Sequence, residues 1–122
     1  MSGDNQRVAI VLLADTETAG DMGRMANALT AVQEFAEAGD DVKLIFDGAG
    51  VKWPGVLQDE DHDYHDLFKS VKSQVAGACG YCADAFGESD AVASAEIDVA
   101  DEYQGHPSFR SLVSEGYEVI TF

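Results

Sequence analysis

Val8-Ala9-Ile10-Val11-Leu12-Leu13-Ala14 is a run of seven apolar residues, opened by Arg7 and closed by Asp15. It is short for a helix and rich in β-branched side chains, which predicts a strand buried on both faces. Such a strand constrains the whole chain, because both faces of its sheet then need covering. The next segments supply the cover. After the polar turn Asp15–Gly20, Met22, Met25, Leu29, Val32 and Ala36 recur at spacings of three and four, which predicts a helix over 21–38, closed by Gly39 as a left-handed cap. Asp41-Val42-Lys43-Leu44-Ile45-Phe46 predicts the second strand. Tyr64, Leu67, Phe68 and Val71 lie on one face of a helix ending near Lys72. Val75-Ala76-Gly77-Ala78 predicts a third strand, followed by a short helix that Gly87 closes. Residues 96–99 predict a short fourth strand. A last helix over 108–115 has Pro107 in its first turn and turns Phe109, Leu112 and Val113 inward, and 117–122 predicts the final strand. Strand and helix alternate throughout, so the expected architecture is α/β: a three-layer α/β/α sandwich on a mostly parallel five-stranded sheet. In such sheets, sites form at the carboxyl ends of strands, where Asp15, Gly48 and Cys79 fall.

The 122 residues suffice for one domain, expected over 7–122 behind a polar tail at 1–6. A chain of this size buries enough surface to need no disulfide or metal for its core. Charge narrows the partners. There are 23 acidic residues against 7 basic ones, a net charge of −16. The acids are scattered among apolar positions rather than gathered in a disordered block. Nucleic acid and anionic membrane both need Lys and Arg, so neither is expected as a partner. Self-repulsion on such a surface is screened in concentrated salt, and with Asp exceeding Glu and Lys scarce the composition points to a halophile with a salt-rich cytoplasm. No stretch of ~18 apolar residues is present, and residues 1–6 lack the basic and apolar regions of a signal peptide, so a cytoplasmic location is expected.

The two cysteines stand together as Cys79-Gly80-Tyr81-Cys82, at the turn from the third strand into a helix. Two cysteines make no disulfide framework, and in a reducing compartment such a pair points to catalysis, redox or metal binding. A thiol at a strand end and helix start faces unpaired N–H groups and the positive end of the helix dipole, which predicts a lowered pKa and a ready thiolate at Cys79. Cys82 lies one turn on, within reach of Cys79. It either pairs with Cys79 as a disulfide or faces the core. The plain reading of Cys79 is a small buried apolar residue.

Other motifs carry less. Gly48-Ala49-Gly50 follows a strand, but Trp53 stands where a dinucleotide fingerprint needs its third glycine, and no phosphate-binding Gly-Lys-Ser/Thr occurs. No cofactor is expected. Trp53 reads as a packing residue. His62-x-x-His65 with Cys79-x-x-Cys82 would supply four zinc ligands of acceptable type. The histidine spacing is short and a helix separates the pairs, so the preferred reading holds no metal. His106, before Pro107, is placed at the site mouth or as a plain loop residue.

These residues, in this order, resemble the DsrE/DsrF-like proteins: the N-terminal strand, the helix closing on Ala38-Gly39, the strand Asp41–Phe46 with glycine after it, Ala78-Cys79-Gly80-Tyr81-Cys82 leading to Gly87, and the closing Gly116–Phe122. The resemblance runs from Arg7 to the end. It implies a flavodoxin-like α/β sandwich assembled into trimers or hexamers. It also implies sulfur relay, in which a cysteine after the third strand, eight residues before the glycine closing the next helix, accepts a persulfide sulfur and passes it to a partner's thiol. That cysteine is Cys79 here, with Gly87 as the glycine and Cys82 as a second thiol found in some members. Phe86 stands where the family often has a basic residue. Sulfur donor and acceptor proteins are the implied partners. The alternatives are a structural zinc or thiol-redox protein, and an oligomeric scaffold with inert thiols.

Overall fold

The computed structural model describes residues 5–122. The tail expected over 1–6 therefore lies mostly outside the described residues. Gln6 already belongs to the fold: its backbone N–H donates to Asp40 Oδ1 at 2.8 Å and its carbonyl accepts from Asp41 N–H.

Five strands form one sheet: β1 (Arg7–Leu12), β2 (Asp41–Phe46), β3 (Val75–Cys79), β4 (Val99–Ala100) and β5 (Glu118–Thr121). Their order is β4-β3-β2-β1-β5, and every pairing is parallel. The layering matches the expected α/β/α sandwich, with a strand order of its own beside the 2-1-3-4-5 of flavodoxin. Six α-helices join the strands: α1 (Ala19–Glu37), α2 (Trp53–Leu57), α3 (His65–Val71), α4 (Gly80–Ala85), α5 (Ser89–Ser94) and α6 (Phe109–Ser114).

From β1 to β4 each new strand is added on the same side, so right-handed crossovers put α1 to α5 on one face. Only the return from β4 to β5 covers the other face, with α6. The core follows this imbalance. Val8, Ile10 and Leu12 of β1 point into the large cluster beneath α1 to α5, while Ala9 and Val11 join a small cluster with Ile45, Leu112 and Tyr117. Both faces of β1 are thus buried, as its unbroken apolar run requires.

Local signals explain most boundaries. Thr18 caps α1: its hydroxyl accepts from Asp21 N–H at 3.0 Å, and the Asp21 carboxylate accepts from Thr18 N–H at 3.1 Å. This capping box starts the helix at Ala19, two residues before the periodicity does. Gly39 adopts the left-handed φ of +83° expected of the cap. Trp53 is buried, and its indole N–H donates to Ala14 O at 2.9 Å, which confirms a packing role.

Two expectations are corrected. The fourth strand begins at Val99, not at 96. Glu96 takes a left-handed φ of +58° after α5, and Ile97 N–H donates to Val92 O, so 96–97 complete the end of that helix. In α6 only Leu112 turns inward. Phe109 is 40% and Val113 64% exposed, because a single short helix on the sparsely covered face has one neighbour layer to pack on.

Candidate functional site

β3 ends on Cys79, which is also the N-cap of α4. Its sulfur takes the place of a capping oxygen, accepting the N–H of Cys82 at 3.4 Å. The side chain is fully buried. Its single thiol proton has two acceptors: Gly105 O at 3.8 Å, and His106 Nδ1 at 3.3 Å in the tautomer protonated on Nε2.

Burial dominates the electrostatics. It pushes the Cys79 thiol up to about 12, and the Asp47 carboxylate adds to the rise; the Cys82 N–H pulls the other way and loses. This corrects the expectation of a lowered pKa. A helix of six residues presents a weak dipole, and a fully buried sulfur loses more to desolvation than that dipole returns. In its resting state Cys79 is a protonated thiol against a histidine.

His106 is held by a tight turn. Tyr103 and His106 exchange backbone hydrogen bonds at 2.9 and 2.8 Å, with Gln104 at φ +51° and Gly105 at φ +86° between them. Two left-handed central residues make this a type I′ turn. The turn docks on α4: Gly105 O accepts from Tyr81 N–H at 2.9 Å, satisfying one of that helix's orphan donors. The Tyr81 ring packs on the imidazole at a centroid distance of 4.8 Å.

Cys82 is half-buried, and its thiol donates to Asp47 Oδ1 at 3.5 Å. Asp47 follows β2 directly. Its Oδ1 also accepts from Gly48 N–H at 2.8 Å, which fixes the carboxylate over the strand end. Asp47, Cys79, Cys82 and His106 thereby place four potential ligand atoms within 4.8 Å of one another. A cleft of about 670 Å³ opens onto the group between Asp47, Tyr103, His106 and the start of α6, with Arg110 at its rim.

The two cysteines are thus brought together as their spacing implies. His62 and His65 are not part of the group, so the zinc set His62-His65-Cys79-Cys82 does not assemble. His62 Nδ1 accepts from Tyr64 N–H at 3.0 Å, and His65 Nδ1 lies 2.7 Å from Leu57 O. Asp15 stands apart as well, paired with Lys52 at 3.0 Å; the Thr16 N–H and Lys52 hold its carboxyl below the usual range. The residue missed from sequence is Asp47. Its one signal is an acidic residue at a strand's carboxyl end before glycine. For His106, the site-mouth reading is the one that matches the geometry.

Comparison with known proteins bears on the family and the fold. The chain is 29% identical over 96 residues to an uncharacterized protein of Methanocaldococcus jannaschii, covering 79% of this chain and 78% of that one. The fold is similar to that of a conserved protein of unknown function from Bacteroides thetaiotaomicron, with a TM-score of 0.61 at 19% identity, over 93% of this chain and 94% of the other. Among the described residues, no helix is long and apolar enough to cross a membrane. The profile of the DsrE/DsrF-like family matches residues 7–122, and the chain belongs to that family.

Proposed function

We propose that the protein is a persulfide carrier in sulfur relay, with Cys79 as the sulfur acceptor. The observation that carries this reading is the contact of Cys79 Sγ with His106 Nδ1 at 3.3 Å, on a sulfur that also receives the Cys82 N–H. His106 takes the thiol proton and the N–H steadies the thiolate. The thiolate attacks the outer sulfur of a donor persulfide. A new S–S bond forms on Cys79, the donor's S–S bond breaks, and the donor leaves as a thiol carrying the proton that His106 held. Release follows either of two routes. A partner's thiolate removes the outer sulfur by the same exchange, or Cys82 attacks the Cys79 sulfur, giving a Cys79–Cys82 disulfide and hydrogen sulfide. The buried setting suits a carrier, because a protonated thiol beneath the Tyr103–His106 turn is shielded until a donor docks at the cleft.

The partners in this reading are cytoplasmic proteins that present a persulfide or a thiol. The protein itself works as a homotrimer or homohexamer. The exposed Phe109 and Val113 on the thin face, and Ile120 of the edge strand β5 on the other face, support assembly, since apolar side chains at this exposure favour a covered surface. Light scattering in concentrated salt then gives a mass several times 13.0 kDa, and a clean monomer overturns the assembly.

The relay itself is tested by intact mass after incubation with a low-molecular-weight persulfide. One added sulfur is expected, and reductant removes it. Cys79→Ser abolishes the adduct, Cys82→Ser keeps it and prolongs its life, and His106→Gln slows loading. An adduct that forms equally well on Cys79→Ser refutes Cys79 as acceptor.

A further inference from the structure

We propose that Asp47, Cys79, Cys82 and His106 form a tetrahedral site for a divalent, borderline-soft transition metal, with Zn²⁺ as the fitting ion. The inference stands apart from sulfur relay, because it concerns which ion the four donors hold when no sulfur is loaded.

Geometry is the first argument. Tetrahedral zinc with bonds of about 2.3 Å to sulfur and about 2.0–2.2 Å to nitrogen or oxygen requires its donors to lie roughly 3.4–3.8 Å apart. Cys79 Sγ and His106 Nδ1 are 3.3 Å apart, Cys82 Sγ and Asp47 Oδ1 are 3.5 Å apart, and no pair of the four exceeds 4.8 Å. A contraction of about 1 Å in the widest pair closes the site.

The second argument is Asp47 itself. Among the described residues it is the one charged side chain that is buried. It takes part in none of the ion pairs, which join Arg7 to Asp41, Arg24 to Asp21 and Lys52 to Asp15. It accepts from the Gly48 N–H and the Cys82 thiol, but no cation balances it, and what it faces across the cleft end is two thiols and an imidazole. A bound divalent cation is the partner that chemistry would place there.

The third argument is preorganisation. The donors come from the ends of β2 and β3, the first turn of α4 and the turn after β4, and each is already held. The Gly48 N–H fixes Asp47, the α4 cap fixes Cys79, and the I′ turn with the Tyr81 ring fixes His106. The donor set chooses the metal class. Two sulfurs exclude Ca²⁺ and Mg²⁺, which take oxygen, and a carboxylate opposite an imidazole suits Zn²⁺ better than Cu⁺. With all four positions filled, both thiols are occupied, so the metal form is closed to alkylation and to sulfur.

The test uses the reduced, chelator-treated full chain, titrated without oxygen first with Co²⁺ and then with Zn²⁺. One equivalent of Co²⁺ is expected to produce thiolate-to-cobalt charge-transfer bands and the intense visible bands of a four-coordinate ion, and one equivalent of Zn²⁺ to bleach them. Asp47→Asn and His106→Gln are each expected to weaken Zn²⁺ binding by at least about tenfold, while His62→Gln and His65→Gln leave it unchanged. Circular dichroism of the metal-free variants checks that they fold, and either ligand variant suffices if the other does not. Pale octahedral cobalt spectra without charge-transfer bands would mean that surface carboxylates alone bind the ion, and would overturn the site. So would bands of full intensity in a folded Asp47→Asn or His106→Gln chain. The readout is independent of sulfur loading, so either idea can fail while the other stands.

Discussion

The burial of Cys79 makes a quantitative claim about its reactivity. In the metal-free Cys82→Ser chain, Cys79 is the only thiol. In the unsubstituted chain burial, with the Cys82 thiol and the Asp47 carboxylate adding to it, places Cys79 at about 12, against 9.0 for an ordinary exposed cysteine. Cys82→Ser keeps burial, the largest of these causes, and a rise of that size removes roughly three powers of ten of thiolate at neutral pH. A more basic thiolate is a better nucleophile and regains about 0.4–0.5 of a power of ten for each step in pKa. The net expectation is alkylation roughly 30- to 60-fold slower than in the same chain unfolded in urea, before any steric block beneath Tyr81 and His106 is counted. The rate should climb about tenfold per pH step well beyond pH 9, where an exposed thiol has already levelled off. The sign for stability follows. A thiol raised in the folded state contributes its stabilisation fully below about pH 9 and loses it as pH rises toward about 12. The assay is intact-mass kinetics with iodoacetamide from pH 7 to 10. A native rate equal to or above the unfolded rate at pH 7 would refute desolvation as the dominant effect and restore the helix start as the activating influence.

In Gly50→Ala, the new Cβ would sit 1.9 Å from Leu12 O, the carbonyl that accepts Asp47 N–H, so urea unfolding should show a loss of about 3 kcal/mol or more, with Asp47 displaced. Gln104→Asn puts a residue tolerant of the left-handed region at φ +51° in the I′ turn, and should gain about 0.5–1 kcal/mol, read as a melting temperature a few degrees higher. Melting from dilute buffer to molar potassium chloride should rise, since 7 basic residues leave most of 23 acidic ones unpaired; a flat or falling curve removes the salt-adaptation argument.

What the sequence made legible is local. The unbroken run Val8–Ala14 fixes a doubly covered strand, and its two faces do separate into two core clusters. The strand–turn–helix placement of Cys79 and Cys82 is equally local, because an apolar run and a glycine-closed helix flank the pair. Contacts across the sheet are another matter. Asp47 and Cys79 are 32 positions apart, Cys79 and His106 27, and what brings them together is that β2, β3 and β4 are neighbours. Spacing along the chain says nothing of that order, which is why the nearby His62 and His65 attract attention as ligands while Asp47 does not. The pKa of Cys79 fails for a similar reason. Its helix start is visible in the pattern, whereas the depth of burial depends on the turn from 103 to 106 that lies over it.

The position of the group within the sheet also follows from the topology. Parallel sheets offer a crevice where the order reverses, here between β1 and β5. That crevice is filled. Leu13 N–H donates to Phe122 O at 2.8 Å, Phe122 N–H donates to Val11 O, and the turn at Gly50 presses on the Leu12 carbonyl. The opening lies instead over β2, β3 and β4, because β4 has only two residues and the chain leaves the sheet at once into the loop that carries His106. A longer β4 would carry that loop further from Cys79. The short strand is therefore what lets an imidazole from one connection reach a thiol from another, with the Asp47 carboxylate of a third completing the group.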